Sequence, residues 1–363
     1  MSGDILVINT GSSSLKYAVF SRRPDGPVRR ESGQVDGIGT THPQAADHGA
    51  ALELAVDRLR AGDANWAPAA VGHRVVHGGT RFTAPIILDA KRRAELEALA
   101  PLDPLHLPAN LRGIDAAARA FPDAKQIACF DTAFHRGHPW VADTYALPRE
   151  LHDAGVRRYG FHGLSYESIV GSLRRIAPDL AAGRVVVAHL GNGASACAIR
   201  DGNSIESTMG FSVLDGLPMG TRCGQIDPGV LLYLLREKRM TVEQLEDLLY
   251  KKSGLLGLSG LSSDMRDLLA SDRPEAKQAV DYFVYRVTAA IAMLAGCLGG
   301  VDGVVLTGGI GEHAAAVRER IVRGLAWLGV GFDADSAVRA LVIPTDEEGT
   351  IARHVIAVLQ ISE

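Results

Sequence analysis

Short apolar runs, each closed by a glycine-rich or polar turn, set the pattern of the chain. Asp4 to Asn9, Ala70 to Val76, Gln126 to Phe130, Arg184 to Leu190 and Gly303 to Thr307 each read as a strand. Segments of helical periodicity fill the intervals, and this alternation predicts an α/β protein. One helix is well delimited: Thr241 with Gln244 forms a capping box, Leu245, Leu248 and Leu249 make its apolar stripe, and Gly254 follows two lysines as a stop. The most apolar stretch, Val287 to Gly299, is too short and glycine-broken to span a bilayer and reads as a buried helix.

A plan repeats within the pattern. Ile5 to Phe20 (ILVINTGSSSLKYAVF) and Val185 to Arg200 (VVVAHLGNGASACAIR) are each an apolar strand, a Gly/Asn/Ser turn and a second strand. Asp201-Gly202 closes the second copy as a hairpin turn. Two such hairpins predict duplicated lobes with a cleft between them, each offering backbone N–H groups and hydroxyls to one polyphosphate. The boundary is expected near Thr132 to His138, so that residues 1–135 plus 349–363 form the first lobe and 136–348 the second. The helix Ile351 to Leu359 then returns to the first lobe.

Composition narrows the function. With 363 residues, 47% hydrophobic and 22% charged, the chain can bury two cores. The net charge of -4 and the absence of any block of five or six basic residues argue against a nucleic-acid partner. Cys129, Cys197, Cys223 and Cys297 lie far apart, as in a reducing cytoplasm. Met1-Ser2-Gly3-Asp4 leads into a strand without the basic and apolar regions of a signal peptide, and no membrane partner is expected.

Gly191-Asn192-Gly193-Ala194-Ser195-Ala196 fits the loose GxGxxA form of a dinucleotide fingerprint, but a strand follows where a helix is required. The chain holds neither GxxxxGK[ST] nor the protein-kinase set HRD and DFG. Phosphate must therefore meet another loop type. Four stretches qualify together, although each alone would more often be an ordinary turn: Thr10 to Ser14, Gly191 to Gly193, Met219 to Arg222 and Gly308 to Glu312. Lys16 adds a point charge beyond the first, or is simply a solvated strand lysine. His73 and His77, and His135 and His138, lack a third ligand at zinc spacing. Because His73 and Arg74 would point to opposite faces of a strand, hard oxygen donors for Mg2+ at Asn9, Asp131 and Glu347 are the stronger reading. The planar forks of Arg74 and Arg222 suit carboxylate and phosphoryl oxygens, with an interlobe ion pair as the plainer alternative. Phe161-His162-Gly163 stays ambiguous, since a half-buried structural histidine is common.

In order along the chain, VINTGSSSLKY, GHRVVHGG, PLHLPANL, FDTAF, RRYGFHG, HLGNGAS, GLPMGTRCGQIDPG, SGLSSDMRDL, TGGIGE and PTDEEGTIA resemble the motifs of the acetate kinase family. The resemblance implies the duplicated ribonuclease-H-like core shared with sugar kinases and actin, in two lobes with an interlobe cleft, and a homodimer whose contacts and nucleotide site belong to the second lobe. It implies Mg2+ at Asn9 and Glu347, with Mn2+ as a substitute. Lys16, with Ser12 and Ser14, matches positions near the phosphates of ATP or ADP. Arg74 matches the carboxylate-binding arginine, Asp131 the essential acid, and His162 and Arg222 the pair that stabilises the transition state. His189, Leu190, Gly191, Asn192 and Gly193, then Asp264, Met265 and Arg266, then Gly309, Ile310, Gly311, Glu312 and His313 match three nucleotide-binding segments. Val76, Leu105, Phe161 and Val213 fall where the family forms a small acyl pocket. Val213 stands in place of the usual proline, Met265 of an aromatic residue, His313 of asparagine and Leu164 of threonine.

The chemistry fits those residue types. A carboxylate is ionised at neutral pH, so the attacking oxygen needs little help from a base. The barrier is repulsion between anions, which Mg2+, Lys16, Arg74 and Arg222 would neutralise while holding the reactants in line. Direct transfer without a phosphoenzyme is expected, to acetate or, alternatively, to propionate or butyrate. Two other classes are weighed against it: a nucleotide-binding regulatory or chaperone-like module, which the complete set Arg74, Asp131, His162 and Arg222 opposes, and an NAD oxidoreductase.

Overall fold

A computed structural model of the chain describes residues 3–11, 14–38 and 44–361. The chain divides into two compact units, the first formed by 1–136, 163–168 and 346–363 and the second by 137–162 and 169–345.

The first unit is built on β1 (Asp4–Thr10), β2 (Ser14–Arg23), β3 (Gly26–Asp36), β4 (Ala70–Val75), β5 (Ile86–Ile87) and β6 (Lys125–Phe130). They form one sheet in the order β3-β2-β1-β4-β6-β5. β1 to β3 make an antiparallel meander, and β1, β4 and β6 run parallel. One face, carrying Leu6, Ile8, Leu15, Tyr17 and Val19, is covered by the helices His48–Arg60 and Leu107–Ala120. The other face carries Ile5, Val7, Ala18, Phe20 and Cys129 and is covered by the C-terminal helix Glu347–Ile361 through Ile351, Ala352 and Val355. Gly72 sets how closely that helix can lie. A Cβ there would stand 2.6 Å from Ile351 Cγ2 and 2.8 Å from Val355 Cγ2, so a bare backbone is needed beneath the helix. Leu164, where the family motif has threonine, packs into this same apolar layer.

The second unit repeats the plan. β7 (Arg184–Leu190), β8 (Ala194–Arg200), β9 (Asn203–Ser207), β10 (Gly303–Thr307), β11 (Val330–Gly331) and β12 (Val338–Val342) form a sheet in the order β11-β12-β10-β7-β8-β9. Read from the meander outward, the two orders are the same, strand for strand. They differ at the rim, where β5 is antiparallel to β6 and β11 is parallel to β12. Asp201 and Gly202, both in the left-handed region, make the expected turn between β8 and β9. The apolar stretch around Val287 belongs to the helix Pro274–Leu298, whose buried stripe of Phe283, Val287, Ile291 and Leu294 lies against β7, β8 and β9. This is the duplicated ribonuclease-H-like core, and it makes residues equivalent. Asn9, next to last in β1, corresponds to His189, next to last in β7. Their antiparallel partners are Lys16 and Ser195, and their parallel partners Arg74 and Thr307.

The helix Val242–Lys251 carries the expected capping box. Gly254, however, does not stop it; at φ +61° it opens the next helix, Gly254–Ser259. A Cβ at Gly254 would lie 2.7 Å from the carbonyl oxygen of Arg222, so this glycine serves close packing against the Met219–Arg222 loop.

Candidate active site

In the first unit, register assembles a polar row. Lys16, Asn9 and Arg74 are neighbours across β2, β1 and β4, and directly paired residues project from the same face of a sheet. The row stands where apolar packing ends and the C-terminal helix begins. Glu347, the first residue of that helix, approaches Arg74 Nη1 at 3.6 Å, and Asn9 Oδ1 approaches the same nitrogen at 3.5 Å. Asp131, buried just past β6, takes the rest of the guanidinium: Nε reaches Oδ1 at 3.1 Å and Nη2 reaches Oδ2 at 2.6 Å. Burial works against the charge on Arg74, but the Asp131 and Glu347 carboxylates outweigh it and lift the group further above the ordinary arginine range. The fork is therefore a fixed cation. Lys16 is exposed beside this row.

Asn9 Oδ1 and a Glu347 carboxylate oxygen, the hard donors expected for Mg2+, both lie against Arg74 Nη1. Among the described residues no three His, Cys, Asp or Glu side chains gather as a metal cage. That donor set fits an ion held largely by nucleotide phosphates and water. Three of the four histidines weighed for zinc are engaged elsewhere. His73, on the face opposite Arg74, pairs with Gln126 at 2.8 Å; His77 Nδ1 accepts from Gly79 N at 2.9 Å; and His138 Nε2 lies 2.6 Å from the Ser204 hydroxyl.

Val76 is buried, and its N–H donates to Asn110 Oδ1 at 3.0 Å; Asn110 in turn donates to the Thr10 carbonyl at 2.7 Å. Asn110 so ties the end of β1 to the residue after β4. The sequence reading missed it, although it occupies an apolar position of the stripe Leu107, Leu111, Ile114, and a polar residue there was the signal. Leu105 lies in the turn before that helix. Ser14 accepts the Gly11 N–H through its carbonyl at 2.8 Å. Ser12 lies outside the described residues.

The second unit gathers the other candidates around the β7–β8 loop. Gly191 N–H donates to the Gly193 carbonyl at 3.0 Å and closes the loop tightly. On one side, Gly191 and Asn192 line a cavity of about 470 Å3 together with Asp264, Met265 and Arg266 and with Gly309, Ile310 and His313. Members of all three nucleotide-binding segments inferred from sequence meet there, and the size suits a small-molecule ligand. Asp264 caps the helix Met265–Ala270 by accepting the Arg266 N–H at 2.8 Å, and its bond to the Arg266 guanidinium holds its carboxyl below the usual range. Two members of the third segment turn away from the cavity. Gly311 is buried, and Glu312 Oε1 accepts from Gly308 N at 3.0 Å, from the Thr307 hydroxyl at 3.3 Å and from Thr345 N at 3.2 Å. Glu312 thereby braces the strand-to-helix turn.

On its other side, the loop meets Arg222 and His162. A Cβ at Gly193 would stand 2.8 Å from Arg222 Nη2 and 3.2 Å from His162 Nε2. Arg222 Nη1 is anchored on the Val213 carbonyl at 2.8 Å. His162 adopts a left-handed backbone, φ 58° and ψ 25°, which costs a non-glycine residue about 1–2 kcal/mol. Its Nδ1 lies 2.8 Å from the Ser195 hydroxyl, and its ring stacks on that of His189 at 4.5 Å. Phe161 and Val213 are both buried. Ser195 was not singled out from sequence, although its counterpart in the first sheet, Lys16, was.

The sequence pattern of the acetokinase family matches residues 4–353. The chain is 50% identical to an acetate kinase of Methylocella silvestris over 99% of its length and 98% of that protein. The fold superposes on the crystal structure of an acetate kinase from Porphyromonas gingivalis with a TM-score of 0.88 at 33% identity, covering 99% and 100% of the two chains. A propionate kinase from Francisella tularensis gives 0.90 at 36% identity, covering 98% and 99%. With the duplicated sheets, the cation row and the loop at Gly193 all in hand, the chain belongs to the acetokinase family.

Proposed function

We propose that the protein transfers the γ-phosphoryl group of ATP reversibly to acetate, with Mg2+ or, as a substitute, Mn2+, giving acetyl phosphate and ADP. The observation that carries this reading is the loop Gly191 to Gly193, which offers one side to a ligand-sized cavity and the other to Arg222 and His162. A nucleotide in that cavity would hold its phosphates beside two hydrogen-bond donors. Arg222 and His162 then stabilise charge on the transferring group, the main task in phosphoryl transfer.

Arg74 binds the acceptor. Its Nε and Nη2 are engaged by Asp131, and only long contacts reach Nη1, so this edge serves the acetate carboxylate. Asp131 keeps the fork in one orientation. Acetate arrives ionised and attacks directly, with no proton to remove and no phosphoenzyme. Asn9 and Glu347 would hold Mg2+, which would supply charge neutralisation for the nucleotide phosphates. The family resemblance gives Lys16, Ser12 and Ser14 a part in binding the nucleotide phosphates.

The family resemblance gives Val76 and Leu105 in the first unit, and Phe161 and Val213 in the second, a part in selecting the acyl group. Valine in place of the usual proline at 213, together with the likeness to a propionate kinase, favours propionate as the second reading. Assays of acyl phosphate formation from ATP with acetate, propionate and butyrate decide between them. ATP binding without any acyl phosphate would refute both.

We further propose a cytoplasmic homodimer. The four cysteines are free thiols. The helix Pro228–Arg236 (PGVLLYLLR) is strongly apolar yet buries none of its residues, with Leu232 and Tyr233 about half exposed; a second copy would cover it.

A further inference from the structure

The turn between β1 and β2 has its carbonyl groups held from within the first unit. Asn110, buried on the helix Leu107–Ala120, donates through Nδ2 to the Thr10 carbonyl at 2.7 Å. His48, buried at the start of the helix His48–Arg60, places Nε2 2.8 Å from the Gly11 carbonyl. The Ser14 carbonyl accepts the Gly11 N–H at 2.8 Å. Two helices of the layer that covers one face of the sheet thus each direct a buried donor at one of two successive carbonyls. His48 lies outside every motif that carries the family resemblance.

The partners fix both bonds. A carbonyl only accepts, so His48 carries a proton on Nε2. The other end of the Asn110 amide accepts from Val76 N at 3.0 Å, which turns its Nδ2 toward Thr10. Gly113, one turn further along the same helix, lets the helix come this near, since a Cβ there would run into the Thr10 side chain. The consequence for the turn follows from the peptide unit, which is planar with C=O and N–H on opposite sides. Glycine leaves a turn free to present either side. A phosphate only accepts hydrogen bonds, so a turn that receives one must show it donors, and a carbonyl oxygen on that side repels it. The β7–β8 turn of the second unit has the same device made of backbone: the Asn192 carbonyl accepts from Gly220 N at 3.0 Å.

We infer that His48 and Asn110 are positioning residues that set the polarity of the β1–β2 turn: they draw the Gly11 and Thr10 carbonyls into the helix layer, so that neither faces the nucleotide phosphates. The inference rests on the part in phosphate binding given above to Lys16, Ser12 and Ser14.

The test uses the full-length protein and titration calorimetry. His48→Ala weakens ADP binding about three- to tenfold, the span of one lost hydrogen bond, and leaves the affinity for adenosine, which has no phosphate, within about twofold. His48→Gln, whose side-chain amide places a donor where Nε2 stands, recovers most of the ADP affinity. Asn110→Ala, which adds no charge, shows the same split between ADP and adenosine; should it fail to fold, the two His48 variants decide alone. Equal losses for ADP and adenosine in His48→Ala, or no recovery in His48→Gln, mark the anchors as merely structural and overturn the inference. Lys16→Ala separates it from the reading on which it rests. Unchanged ADP affinity in both Lys16→Ala and His48→Ala removes the hairpin from phosphate binding altogether, whereas a weakened Lys16→Ala beside a normal His48→Ala removes only the anchors.

Discussion

Gly193→Ala adds one methyl group at the point where Arg222 and His162 meet. The backbone at Gly193 lies outside the left-handed region, so alanine carries no conformational penalty there and only the space beside it matters. The new Cβ would stand 2.8 Å from Arg222 Nη2 and 3.2 Å from His162 Nε2. Ordinary contact needs about 3.5 Å, so the guanidinium must retreat by roughly 0.7 Å. Arg222 is a long side chain and can do so without disturbing the fold, but its Nη1 is tied to the Val213 carbonyl at 2.8 Å, so the movement becomes a swing of the fork. A misplacement of about 1 Å at a reacting centre costs up to about 100-fold. The expected kcat is therefore about 10- to 100-fold lower. The melting temperature should stay within a few degrees, and ADP affinity within about threefold, because the cavity is lined by Gly191 and Asn192 and not by Gly193. Steady-state kinetics by hydroxamate detection, with calorimetry for ADP, measure all three. A kcat within twofold of the parent would show that Arg222 and His162 do not act from these positions.

Arg222→Ala should lower kcat by about 10³ or more with a smaller change in KM for ATP; near-normal turnover would count against its place in the transition state. Arg74→Ala should raise KM for acetate more than KM for ATP, and equal effects would mark the arginine as structural. Burial pushes both His73 and His77 down to about 4. The unfolded chain then binds protons that the folded chain refuses, so their contribution is intact above about pH 6.5 and is lost as pH falls toward 4, by up to about 3 kcal/mol each. His73→Gln should lose less stability than the parent between pH 7 and pH 4.5 in denaturant melts, and an equal loss would refute this account. Leu232→Glu should yield a monomer in sedimentation experiments; an unchanged sedimentation coefficient would exclude the Pro228–Arg236 face from the dimer contact.

Strands and hairpins were legible because period and punctuation are local. Arg184–Leu190 and Gly303–Thr307 appear with the boundaries expected, and the others shift by a residue at an end. β3 was not anticipated, since GPVRRESGQVD lies along the sheet's rim with most of its residues exposed and carries no apolar alternation to read. Of the site, the individual residues could be named from motifs, but their engagement could not. The bidentate grip of Asp131 on Arg74 spans 57 positions of sequence, and nothing local announces it. Glu312 was grouped with the nucleotide segment by its place in TGGIGE, whereas its carboxylate satisfies three donors around its own turn. Gly254 was read as a helix stop from the two lysines before it, when the carbonyls of Met219 and Arg222 are what require it.

The discontinuity of the first unit bears on how the chain matures. Synthesis proceeds from the N-terminus, and domains fold as they emerge. The sheet that holds Asn9 and Arg74 is complete once residue 130 has left the ribosome, but the hollow over Gly72 stays open until Ile351 and Val355 arrive. By then the residues of the second unit, which end at 345, have all been made. The second unit is thus complete first, and the first is sealed last, by the same helix that delivers Glu347 beside Arg74.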